Sequence, residues 1–141
     1  RNLNTLIEDV VRLYPDAQIH RHLHPDLPTL PIDAEQIRRV LINLIENGID
    51  AAGPGAQITI LTQFLEGDVC LVIRDNGPGV PQAQWQSIFQ PYISSKDSGM
   101  GLGLAVVRSI IEDHRGHISV CDAPGGGAQF DICLPIPDPV L

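Results

Sequence analysis

The sequence is short of positive charge. Nine Lys and Arg stand against 17 Asp and Glu, for a net charge of −8 at pH 7 with His neutral. That imbalance excludes a surface built to grip nucleic acid or an anionic membrane, so a polyanionic ligand would have to be held by local donors and a metal ion. Long apolar runs are missing too. No stretch reaches the roughly 18 residues that a membrane-spanning helix needs, and no basic-then-apolar leader opens the chain, so neither a span nor a signal peptide is expected. Cysteine is sparse: Cys70, Cys121 and Cys133 are widely spaced among Val, Leu and Ile, which reads as three small buried hydrophobes in a reducing compartment and argues against a disulfide framework or a zinc site. There is no internal repeat and no low-complexity segment. What remains is a chain of 141 residues, 43% hydrophobic and 18% charged, sized for one globular domain with its own core.

The segment from Asp33 to Ala52, DAEQIRRVLINLIENGIDAA, organises the rest. On a 3.6-residue helix Ile37, Val40, Leu41, Leu44, Ile45 and Ala52 form a wide apolar face, and Gln36, Arg39, Asn43, Glu46, Asn47 and Asp50 form the opposing stripe. Asp33 is the expected N-cap, with Gln36 three residues on as in a capping box. A solvated back would normally be rich in Lys and Glu. This one carries two asparagines one turn apart, flanked by carboxylates, and Asn is a middling helix former. Asn47 can present its amide oxygen to Mg²⁺, which takes six oxygen ligands at about 2.0–2.1 Å and shares them between protein, water and nucleotide phosphate. Asn43 could then touch a phosphate or an ordered water. The alternative is a surface helix with two chance asparagines, and the helix alone does not separate the two.

Upstream, residues 3–13 have helical periodicity through Leu3, Leu6, Ile7, Val10, Val11 and Leu13 and stop at Tyr14-Pro15, as a linker or first helix from a longer chain. Residues 17–24 alternate as a strand that would set His20, His22 and His24 on one side; with no acid or thiol tied to them by spacing, a solvated strand face is favoured over a metal site. Downstream, GPGA at 53–56 is a turn. Residues 57–65 and 69–74 then read as two strands joined at Glu66-Gly67-Asp68, the second apolar on both faces and so central to its sheet. Residues 81–89 predict a short helix carrying the single Trp, Trp85, and 90–101 a polar loop. LGLAVVRSIIEDHRG predicts a second strong helix, with Leu102, Val106, Val107, Ile110 and Ile111 on one side, Arg108, Glu112 and Arg115 on the other, and Gly116 as its stop. His114 and His117 are expected as ordinary surface groups flanking that stop. Two final strands turn about residues 125–127.

Two glycine-bearing segments carry further chemistry. Asp75 directly follows the buried strand, where a lone carboxylate is costly unless hydrogen-bonded, and a purine's exocyclic amine is a suitable donor. A plain turn cap is the alternative, but Gly77 and Gly79 favour a ligand because glycine permits close backbone approach. Gly99, Gly101 and Gly103 lead into the second helix, whose N-terminus, worth about half a positive charge, would form an anion site without basic residues. A dinucleotide fold would need a strand immediately upstream, and a P-loop would need Lys-Ser/Thr after the glycines; neither is present.

Taken in order, NLIENGIDAA, DNGPG, IFQPYISSK and GMGLGLAVVRSIIEDHRG resemble the asparagine, first glycine, phenylalanine and second glycine boxes of sensor histidine kinase catalytic and ATP-binding domains, in the superfamily shared with DNA gyrase B, Hsp90 and MutL. GGGAQFDICLP is similar to the closing hairpin, so the resemblance covers nearly all of residues 1–141 as one domain. It implies an α/β two-layer sandwich, a mixed sheet with three helices on one face. It further implies that Asn47 holds Mg²⁺, that Asn43 and Lys96 lie near the ATP phosphates as catalytic residues, and that Asp75 reads adenine. Gly77 and Gly79 would make room for the base, Gly99, Gly101 and Gly103 would wrap the triphosphate, and Asp50, Tyr92, Leu102 and Leu104 would complete the ATP site. Residues from about 80 to 99 would be a lid anchored by Phe89 and Tyr92, with core packing the alternative for Phe89. ATP-hydrolysing relatives carry a glutamate where this chain has Asn43, and Glu46 points about 100° away from Asn47, so hydrolysis should be poor. Transfer to a neutral imidazole needs mainly positioning. The implied partners are a dimerisation and histidine phosphotransfer domain of the parent chain, which these residues lack, and a downstream response regulator. The implied setting is cytoplasmic, under a parent that can be anchored in the inner membrane. A serine/threonine kinase of the same fold and a non-catalytic nucleotide-sensing module are the rival functions.

Overall fold

The computed structural model describes residues 1–91 and 103–137. Helix α1, Leu3–Val11, opens it, followed by strand β1, Gln18–His22, and the long helix α2, Ala34–Ala52. Strands β2, Gln57–Leu65, and β3, Asp68–Arg74, come next; then two 3₁₀ turns, Gln82–Gln84 and Ser87–Phe89, helix α3, Gly103–Asp113, and strands β4, His117–Asp122, and β5, Ala128–Pro135. The strands form one sheet in the order β1-β2-β3-β5-β4, with β1 parallel to β2 and every other pairing antiparallel. This is the expected mixed sheet, and β3 is its centre. With a neighbour on each side, Cys70 and Val72 are buried even though they point away from the helices, where Val69, Leu71 and Ile73 meet the core.

The core is aliphatic and lies between the sheet and the helices. Ile37, Val40, Leu41, Leu44 and Ile45 of α2 are all within 1% of full burial, as the periodicity predicts. Leu3, Leu6, Ile7 and Val10 bury α1 in the same cluster, so this helix is part of the domain's packing. Its start is fixed by polar contacts as well. Asn2 caps it, accepting from the Asn4 and Thr5 amides, and Asn4 donates to the His24 carbonyl at 2.7 Å and accepts from the buried Thr62 hydroxyl at 2.9 Å. The β2–β3 connection is a two-residue turn in which Glu66 (φ 52°) and Gly67 (φ 84°) are both left-handed, the twist that a tight hairpin favours.

Several expectations need correction. Cys70 and Cys133 are not separate buried hydrophobes: they stand directly opposite each other on β3 and β5, Cα atoms 4.1 Å apart, and are joined as a disulfide. Cys121 is free. Residues 81–89 form two 3₁₀ turns in place of one helix, because so short a segment gains too few bonds to offset helix nucleation and is held by Trp85, Ile88 and Phe89 packing on the core. His20 and His22 lie on β1 and are exposed, but His24 falls beyond the strand, where its amide donates to Thr62 Oγ1. At the end of α3 the left-handed residue is Arg115 (φ 62°), not Gly116. The Arg115 and Gly116 amides bond back to the Glu112 and Ile111 carbonyls, a Schellman arrangement, and Gly116 is required because a Cβ there would run into the Cys133 carbonyl.

Candidate functional site

Asp75 follows the end of β3, bonds to Ala128 at the start of β5 and lies beside Gly48 in the C-terminal half of α2. It is 7% exposed. Its Oδ1 accepts from the Gly77 amide at 2.9 Å and the Ala128 amide at 3.2 Å, while its own amide donates to the Ala128 carbonyl at 3.0 Å. Two donors on one oxygen supply the hydrogen bonds that a buried carboxyl oxygen needs, and they aim the group rigidly. The flanking glycines make the packing possible. A Cβ on Gly48 would stand 2.7 Å from Ile58 Cδ1 and 3.2 Å from Asp75 Cβ, and one on Gly77 would stand 3.1 Å from the Ala51 carbonyl carbon. Gly127 (φ 101°) abuts the Asp75 carbonyl, and Gly79 (φ 80°) faces the Gly127 carbonyl.

Asn43, Asn47 and Asp50 share one face of α2, by their spacing of four and three residues. Asn43 and Asn47 are half-buried and Asp50 is exposed. Asn43 Nδ2 makes a long hydrogen bond, 3.4 Å, to the carbonyl of Gly103, the first residue of α3. The asparagine face and the start of the second helix, 60 residues apart in the chain, are thereby brought together. A side chain on Gly103 would meet nothing among the described residues within 4 Å, and Leu104 is half-buried against the core. Tyr92, Lys96, Gly99, Gly101 and Leu102 lie outside the described residues. Glu46 turns away from this face, as expected: it accepts from the Tyr14 hydroxyl at 2.7 Å. Burial, followed by the hydrogen bond and charge of Glu46, pushes the Tyr14 phenol above its usual range. Phe89 is 4% exposed and meets Phe130 edge-to-face at 6.1 Å, so it belongs to the core, and the expected lid is packed down at least as far as this residue.

Among the described residues there is no group of three or more His, Cys, Asp or Glu that could hold a metal ion. Four residues of the site escaped the reading of the sequence. Gly48 had a visible signal, since a glycine within the buried stripe of a helix costs about 1 kcal/mol relative to alanine unless close packing needs it. Gly127 was read only as part of a turn. Asn76 ties the loop down, accepting from the Gln57 amide at 2.8 Å and donating to the Gly55 carbonyl at 3.2 Å. His114, expected as a surface group, is half-buried and bonded through both ring nitrogens: Nδ1 lies 2.8 Å from the Ile110 carbonyl and Nε2 accepts from the Asp33 amide at 3.1 Å. Half of the capping box is thus remade. Asp33 Oδ1 accepts from the Gln36 amide at 3.1 Å, but the amide of Asp33 goes to His114 and not to Gln36.

Comparison with known proteins gives a consistent picture. Residues 32–138 match the family described as "Histidine kinase-, DNA gyrase B-, and HSP90-like ATPase". The chain is 36% identical to the sensory histidine kinase/phosphatase NtrB of Klebsiella oxytoca, with 96% of this chain and 43% of that protein covered. It is 34% identical to the sensor histidine kinase ZraS of Escherichia coli K12, covering 96% of this chain and 30% of that one. The chain thus spans less than half the length of these relatives. Among solved structures, the catalytic domain of histidine kinase ThkA superposes with a TM-score of 0.87 at 31% identity, covering 96% of this chain and 93% of that one. ThkA in complex with the response regulator TrrA gives 0.84 at 28% identity, covering 97% and 41%.

Proposed function

Since the chain belongs to the histidine kinase-, DNA gyrase B- and HSP90-like ATPase family, we propose that it is the nucleotide-binding half of a sensor histidine kinase, which binds Mg-ATP and donates its γ-phosphate to a histidine on a separate helical dimerisation domain. The observation that carries this reading is Asp75, a buried carboxylate whose Oδ1 is occupied by two backbone amides. Oδ2 would accept from the exocyclic amine of adenine, and Gly77 and Gly79 would let the base approach the backbone. At the other end of the ligand, Asn43 and Lys96 would contact the phosphates and the backbone from Gly99 to Gly103, with Leu102, Leu104 and the N-terminus of α3, would enclose them. Asp50 and Tyr92 complete the set.

Mg²⁺ would supply charge neutralisation on the phosphates of a domain whose net charge is −8. Asn47 would hold it by its amide oxygen, the donor set fitting a cation that takes most of its oxygens from nucleotide and water. Asn43 stands where a hydrolytic glutamate would be, and Glu46 is engaged by Tyr14, so neither would serve as a base to activate water. It would keep ATP intact until an acceptor imidazole is presented. NtrB, ZraS and ThkA are named histidine kinases and ThkA has been seen with a response regulator, which supports a response regulator as the downstream partner.

Calorimetric titration with ATP, in magnesium and in EDTA, tests the reading. Binding should need magnesium, and Asn47→Ala should abolish the magnesium-dependent part while leaving the thermal transition in place. Equal affinity in the mutant would remove Asn47 from the metal, and no binding by the native domain would sink the function.

A further inference from the structure

Two bridges tie α3 to α2, one at each end of α3. At its start the Gly103 carbonyl accepts from Asn43, and at its end the His114 ring reaches Asp33, the residue that caps α2. The second bridge fixes the state of the imidazole. A backbone amide can only donate, so Nε2 must carry the lone pair that receives the Asp33 N–H, and the ring proton must sit on Nδ1, where it donates to the Ile110 carbonyl. One tautomer satisfies both partners. The ring closes the C-terminal turn of α3 and takes up an N-terminal donor of α2 at the same time.

We propose that His114 is a positioning residue for the nucleotide's phosphates. A helix of 11 residues is a strut about 16 Å long. Pinned to the α2 cap at its far end, it has one register against α2, and that register sets where the α3 N-terminus stands relative to Asn43. The inference rests on the proposed reading of Asn43 and the α3 N-terminus as part of the phosphate site. It gives His114, which would touch neither substrate nor cofactor, a share in holding that helix start.

The test compares Mg-ATP affinity and thermal unfolding for the native domain, His114→Leu, His114→Gln and Thr62→Val. Leucine removes both contacts, whereas glutamine offers a donor and an acceptor. Thr62→Val breaks the buried network with Asn4 and His24, remote from α3, and lowers stability without touching this strut. His114→Leu should weaken Mg-ATP binding about fivefold, one hydrogen bond's worth. His114→Gln should stay close to the native affinity, and Thr62→Val should bind normally despite a lower melting temperature. Unchanged affinity in His114→Leu, or an equal loss in Thr62→Val, would overturn the proposal. Nitrogen NMR of the native domain supplies a readout that needs no variant: Nδ1 should be protonated and Nε2 bare, and the opposite tautomer would overturn the bridge itself. A native domain that binds no Mg-ATP would overturn the site reading instead, a failure distinguishable from the others.

Discussion

On the proposed function Asp75 has two duties that substitution can separate. Asp75→Asn keeps an oxygen for the Gly77 and Ala128 amides, so stability should change by about 1 kcal/mol or less, while an amide NH₂ turned toward the base should lower ATP affinity about tenfold. Asp75→Ala leaves both amides unpaired and should cost about 2–4 kcal/mol in urea unfolding. An asparagine variant that binds ATP normally would take adenine recognition away from this residue. Tyr14 gives a prediction with a pH signature. Its folded pKa is raised above the usual value near 10, so the folded state holds the proton more tightly; its contribution is fully present below about pH 10 and is lost as pH rises through the folded value. Tyr14→Phe should therefore be less stable at neutral pH by about 0.5 kcal/mol, the worth of one solvent-screened bond, and the deficit should shrink in alkaline denaturant melts. Asp75 and Asn47 stood out in the sequence because their chemistry is odd for a strand end and a helix back. His114, Asn76 and Gly127 did not, because each acts on a residue that only the folded chain brings near.

Whole elements were easier to foresee than their ends. The apolar faces of α1, α2 and α3 and the central place of β3 follow from periodicity, which burial enforces. The failures lie where an end meets another element. The α2 cap borrows a histidine from 81 residues away, and the α3 stop uses Arg115 because Gly116 is consumed in clearing β5. Strand register is equally hidden, so nothing in the spacing of Cys70 and Cys133, 63 residues apart, announced that they face each other. Closing a loop of that length removes chain entropy from the unfolded state, worth about 4 kcal/mol where native geometry is undisturbed. Treatment with a dithiol reductant should lower the melting temperature of the native domain and leave that of a Cys70→Ser, Cys133→Ser double variant unchanged. Cys121, whose thiol is pushed up by burial and by the neighbouring Asp131 and Asp122 charges, should react slowly with alkylating agents.

For the molecule as a whole, the proposal predicts a division of labour. The domain alone should hydrolyse ATP slowly and label none of its own histidines, and a helical phosphoacceptor domain from the parent chain should become labelled on histidine when added. The product should be acid-labile and base-stable; an acid-stable product would move the assignment to hydroxyl transfer. The order of the boxes made the fold and nucleotide reading legible from the sequence, since four separated segments are far more specific together than singly. The assembly of Asp75 from α2, β3 and β5 was not legible, because it depends on glycines yielding room to backbone from elsewhere.

The place of β3 in the middle of the sheet has a consequence in time. Bonded on both sides along its length, it should be among the last segments to trade its amide protons for deuterium, and the opening that uncovers them should approach global unfolding in free energy. Asp75, anchored at the end of that strand, inherits its slow clock: the base would dock against a wall that does not breathe.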